Sequence, residues 1–144
     1  MGIGKRGAPV DSEDRRKHLE FIQGVIARLA QNSFLIKGWA TTVLSGLFWL
    51  LLERETCSLR QALVLLAPTV VFWLLDGYYL AQERRFRDLF TKVAKGLVEE
   101  PFAMNPSPMG WRDYAKALFS RTVVPLYLLP LAGVALLWWG GVCR

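Results

Sequence analysis

Hydrophobic and polar positions are sorted into blocks along this chain. Residues 33–52 form an apolar run broken once, by Lys37; residues 61–82 form a second, broken once, by Asp76; residues 122–143 form a third with no charge at all. A soluble core would interleave the two classes at a period of two or 3.6 residues. Uninterrupted apolar stretches of about 20 helical residues instead match the hydrocarbon thickness of a bilayer, roughly 30 Å. The pattern predicts an all-α membrane protein with three transmembrane helices. Lys37 extends the first run to full length by snorkelling its ammonium toward the headgroups.

The segments between these runs carry a helical period of their own. Residues 1–10 read as a flexible basic tail. Over 11–32, Leu19, Ile22, Val25, Ile26 and Leu29 recur at helical spacing, with Arg15, Arg16, Lys17 and Arg28 on a more polar side. This predicts an amphipathic helix, cytoplasmic or at the interface, capped near Asp11 or Ser12. Asn32 and Ser33 mark either a bend before the first span or a point inside one continuous helix. The second run does not end its period at Asp76: Phe86, Leu89, Phe90, Val93 and Leu97 continue it among Arg84, Arg85, Arg87, Lys92 and Lys95. Residues 33–98 are therefore expected to form a transmembrane hairpin whose second helix projects about 30 Å beyond the bilayer. Its exposed stripe should bury against the Leu19/Ile22/Ile26/Leu29 stripe. Residues 99–110, rich in proline, read as a linker. Residues 111–144 comprise a short interfacial helix and the third span, where Pro125 and Pro130 predict a kink or break.

The charge distribution sets an orientation. Of the 18 Lys and Arg residues, fifteen lie before or just inside the first span or between spans two and three, and three lie in the 53–60 segment and at Arg144. The positive-inside rule then places the N-terminus in the cytoplasm and the C-terminus outside. Tyr78, Tyr79 and Trp111 fall at the inner interface and Trp49, Trp138 and Trp139 near the outer one, the levels that amphipathic rings favour. Trp73 falls deeper and is expected between helices. Residues 1–17 lack the apolar core of a cleavable signal, so the first span is expected to stay in the mature protein. Basic residues that flank spans are accounted for by insertion and by anionic lipid, and nucleic acid is not expected as a partner.

Candidate chemistry is sparse. His18 is the one histidine, and a catalytic or metal site needs partners at fixed spacing. Glu99 and Glu100 are neighbours on a linker, not a carboxylate pair. No phosphate loop, nucleophile elbow or metal-ligand spacing is present, so no catalytic, cofactor or metal residue is assigned. Cys57 and Cys143 both fall on the outer side of this topology, where a disulfide is allowed but not required. The informative residues are Lys37 and Asp76, because charge inside a span is costly. Their predicted depths differ by about 3 Å, so they can pair across the hairpin. Such a pair either fixes helix register or belongs to an ion or proton path. Thr41, Thr42 and Ser45 offer a short polar face, equally suited to tight helix packing.

The words HLEFIQ (18–23), NSFLIKGW (32–39) and FWLLDGYYLAQERRFR (72–87) resemble a group of small, uncharacterised bacterial inner-membrane proteins. The resemblance covers roughly residues 18–90 and implies a helical, multi-pass inner-membrane protein of bacterial type, with no established activity attached. The layout is loosely similar to small membrane effectors of bacterial defence systems, which oligomerise and permeabilise the membrane; that is an analogy of architecture. The expected function is a non-enzymatic, self-associating membrane protein that affects permeability, its partners being the bilayer and further copies or another protein met through the cytoplasmic helices. The alternative is a passive anchor or accessory subunit for a soluble partner.

Overall fold

The computed structural model describes residues 12–53, 58–98, 100 and 102–140, and among them every regular element is an α-helix. α1 spans Ser12–Leu52, α2 Leu59–Ala94, α3 Trp111–Leu118 and α4 Val124–Trp139. Cys57 and Cys143, the candidate disulfide, lie outside the described residues.

α1 is a single helix of 41 residues, about 60 Å long. Glu13 and Asp14 occupy its first turn, where carboxylates complement the helix dipole, and Lys17 pairs with Glu13 at 3.0 Å. The division expected between 11–32 and 33–52 is not a structural boundary. Asn32 and Ser33 continue the helix, and Ser33 is buried against α2 instead of marking a turn. α2 runs 36 residues. Its start is held by Ser58, whose backbone N–H donates to Gln61 Oε1 at 2.8 Å. Its end is set by Gly96, which takes the left-handed φ of +69°. The Gly96 N–H then bonds the Val93 carbonyl at 3.0 Å and the Leu97 N–H bonds the Lys92 carbonyl at 3.0 Å. That is the double closure that a C-terminal glycine allows. Pro68 sits inside α2 without ending it.

α1 and α2 pack antiparallel along their length, in two apolar clusters. In the N-terminal half of α1, Ile22 is buried with Leu89 and Val93, flanked by Leu19, Ile26, Phe86 and Phe90. Leu97 does not join this cluster. It lies past the end of α2 and is 69% exposed, and Val98 packs there instead. In the other half, Ala40, Leu44 and Leu51 of α1 meet Ala62 and Leu65 of α2 and Tyr127 and Val134 of α4. Gly133 lets α4 approach α1 closely: a methyl group there would lie 2.7 Å from the Phe48 ring.

The expected third span, 122–143, is shorter as a helix. Turns occupy 121–123, and α4 begins at Val124 with Pro125 in its first turn, where the missing N–H costs nothing. Its 16 residues rise about 24 Å. Two helices, α1 and α2, are long and apolar enough to cross a membrane, and α4 is a shorter apolar helix.

Candidate functional site: a buried polar cluster on α1, α2 and α4

The apolar packing of α1 on α2 is interrupted at one level by a group of polar side chains. The register that buries Ile22 on Leu89 and Leu51 on Ala62 brings Lys37 opposite Asp76. Lys37 Nζ lies 2.5 Å from Asp76 Oδ1, with the Asp76 side chain fully buried and the Lys37 side chain 29% exposed. Ser33, one turn before Lys37 on the same face of α1, donates its hydroxyl to the same Oδ1 at 2.6 Å and accepts from Lys37 Nζ at 2.8 Å. One carboxylate oxygen thus receives an ammonium and a hydroxyl, both charge-assisted bonds.

The other oxygen is treated differently. Tyr127 of α4 stands beside Asp76. The Tyr127 hydroxyl and Asp76 Oδ2 are the buried side-chain polar atoms, among the described residues, that reach no hydrogen-bond partner. Buried polar atoms left unbonded are costly. Oδ1 of Asp76 is saturated by groups of α1, and Oδ2 is not. Ser33 and Tyr127 were not singled out by the sequence. Ser33 carried a signal, its i−4 spacing from Lys37; Tyr127 carried another, as the one tyrosine in the third apolar run.

Around this cluster, indole and phenol groups tie the short helix to α2. Trp73 Nε1 donates to the Leu118 carbonyl at 3.0 Å and its ring meets Phe119 edge-on. Tyr114 donates to the Leu74 carbonyl at 2.9 Å, and burial pushes its phenol above the usual range, so it remains a donor. Gly77 is where α3 comes closest, since a methyl group there would collide with Leu118.

His18 is not a surface residue. It is 3% exposed, its Nε2 lies 3.1 Å from the Ala103 carbonyl, and its ring packs on Phe102. Phe102 adopts a left-handed φ of 63° to reach it. The segment read as a linker is therefore pinned to the helices, by His18 at one point and by Arg85 at another, whose Nε donates to the Ser107 carbonyl at 2.6 Å. The Ala103 contact engages Nε2 of His18 structurally. Among the described residues no group of three His, Cys, Asp or Glu side chains could hold a metal ion.

No family model, curated protein or solved structure matches the chain.

Proposed function

We propose that the chain is a non-enzymatic integral membrane protein of the inner-membrane type, crossing the bilayer three times with its N-terminus in the cytoplasm and its C-terminus outside. The observation that carries this reading is where the apolar surface lies. In the most apolar 18-residue stretches of α1 and α2, only 17% and 22% of residues are buried. Phe34, Trp39, Trp49, Leu63, Val64 and Val71 all point outward. The core helix of a soluble protein would be mostly buried, and a monomer in water rarely exposes an apolar patch beyond a few hundred Å². Lipid solvates such a surface without cost. α4, at about 24 Å, crosses when its flanking residues and local bilayer thinning make up the difference.

Within the membrane, the protein self-associates, and any effect on permeability arises between copies. The Thr41 and Thr42 hydroxyls donate to the carbonyls of Lys37 and Gly38 in their own helix. Their protons are satisfied within the helix. Between α1 and α4 runs an open apolar groove of about 400 Å³, where Thr41, Ser45 and Ala132 lie among larger side chains such as Leu44, Phe48 and Leu129. Small residues of this kind let a neighbouring helix approach closely, which is how helices associate in lipid.

Cross-linking in native membranes together with ion flux from liposomes tests the proposal. Self-association gives a ladder of cross-linked species and a leak that rises steeply with protein density. A monomer in tight liposomes would overturn it in favour of a passive anchor for a soluble partner.

A further inference from the structure

We propose that the cavity between α2, α3 and the 107–108 segment binds the phosphate of an anionic phospholipid headgroup. The inference rests on the membrane topology proposed above. The cavity, about 300 Å³, is lined by Arg84, Arg85 and Asp88 of α2, Ser107, and Asp113 and Lys116 of α3.

Its charges are unequal. Arg87 and Lys92 on the same helix are ion-paired to Glu83 and Asp88 at 2.6 and 2.7 Å. Arg84, Arg85 and Lys116 have no ion pair among the described residues. Asp88 is already neutralised by Lys92, which leaves Asp113 against three cations. Asp113 disfavours a second negative charge on the ligand, so the site fits a phosphodiester better than a phosphate dianion. The two guanidinium groups are held by neutral acceptors, which leave their charge uncompensated. Arg84 Nη1 donates to the Lys116 carbonyl at 3.2 Å, which ties the two sides of the cavity together. Arg85 donates to the Ser107 carbonyl and to Gln82 Oε1, each at 2.6 Å, and to the Pro106 carbonyl at 3.5 Å, which fixes its guanidinium. A rigid guanidinium beside a mobile ammonium suits phosphate oxygens.

The level of the cavity selects a lipid. Arg84 lies eight residues beyond Asp76 along α2, about 12 Å toward the cytoplasmic end. Tyr78 and Tyr79 lie just above it, and α3 exposes Trp111 and, next to its end, Phe119, at 76% and 69%. Rings exposed beside basic residues are the signature of the headgroup layer. A phosphate bound there lies at the same level as these exposed rings, beside which acyl chains can run. The same phosphate chemistry could be met by free inorganic phosphate, which lacks that anchor.

Native mass spectrometry of the full-length protein, delipidated in neutral detergent and offered equimolar phosphatidylglycerol and phosphatidylcholine, tests the site. The wild type should retain one phosphatidylglycerol in preference, and Arg84→Gln/Lys116→Gln should lower that retention about tenfold or more. Arg112→Gln/Arg121→Gln, which removes two basic residues outside the cavity, should retain it. Equal loss in both variants, or no preference in the wild type, overturns a discrete site. Displacement by inorganic phosphate at the lipid's own concentration overturns the lipid assignment. Carbonate extraction of the membranes from which each protein is purified keeps the readings apart: protein released as soluble refutes the topology, whereas integral protein without lipid preference refutes only the site.

Discussion

Neutralising Lys37 and Asp76 singly and together separates a register-fixing ion pair from two independent charges. In Lys37→Met, the fully buried Asp76 carboxylate keeps only the Ser33 hydroxyl, while Oδ2 already has no partner. Removing one member of a buried pair costs about 3–5 kcal/mol, and an isolated charge in a span costs about 2.5–3.5 kcal/mol on insertion scales. A loss of about 3 kcal/mol is therefore expected. Asp76→Asn is milder. The amide oxygen still accepts from Ser33 and Lys37, and Lys37, at 29% exposure, can turn its ammonium toward the headgroups. Its expected cost is about 1 kcal/mol, the scale of a weakened hydrogen bond. In the double variant no charge is left to bury, so its cost should stay near that of Asp76→Asn alone. The coupling between the sites is then about 2–3 kcal/mol, at the upper end for residues in contact. Equilibrium unfolding of the purified protein in mixed micelles, by tryptophan fluorescence, reads all four corners of the cycle. Additive losses in the double variant would refute the pairing, and a larger loss for Asp76→Asn than for Lys37→Met would refute the assignment of Asp76 as the trapped charge. A double variant that folds fully yet loses the liposome leak would move the pair from register to permeation.

Tyr127→Phe removes a buried hydroxyl that has no hydrogen-bond partner, so the same unfolding assay should show a change within about 1 kcal/mol and of either sign; a loss of 2 kcal/mol or more would mean that the hydroxyl bonds Asp76. Ile22→Ala empties a fully buried position between α1 and α2 and should cost about 2–5 kcal/mol, while Leu97→Ala, on an exposed residue past the end of α2, should stay within about 0.5 kcal/mol. Comparable losses for the two would place Leu97 back in the stripe.

Period and isolated charge were the parts of this structure legible in the sequence. Phe86, Leu89, Phe90 and Val93 keep a 3.6-residue spacing past Asp76, and α2 does continue through them until Gly96 reverses the chain. Lys37 and Asp76 stood out because nothing else charged shares their runs. What stayed hidden depends on contacts between elements distant in sequence. Asn32 and Ser33 are compatible with a bend or with one continuous helix, and what decides is a contact distant in sequence, the Ser33 hydroxyl donating to Asp76 across the hairpin. Tyr127 reads as one more apolar ring until α4 docks and sets it beside the carboxylate. His18 falls one turn before Ile22, so its place on the buried stripe was available from spacing. Its acceptor, the Ala103 carbonyl, was not, because it sits in a segment whose prolines suggested only a linker. Hydropathy does not register the turns at 121–123, so α4 starts at Val124, inside the apolar run that begins at 122.

In the proposed topology the chain threads the bilayer with α1 and α4 ending on the outer side. Substituted-cysteine labelling tests it most directly, in a Cys57→Ser/Cys143→Ser background with a membrane-impermeant maleimide on intact cells or spheroplasts. Ser58→Cys and Gly140→Cys should label before permeabilisation, and Ser12→Cys and Met104→Cys only after it. Labelling of Gly140→Cys only after permeabilisation would contradict three crossings, and recovery of all four variants in the soluble fraction would contradict the membrane reading as a whole.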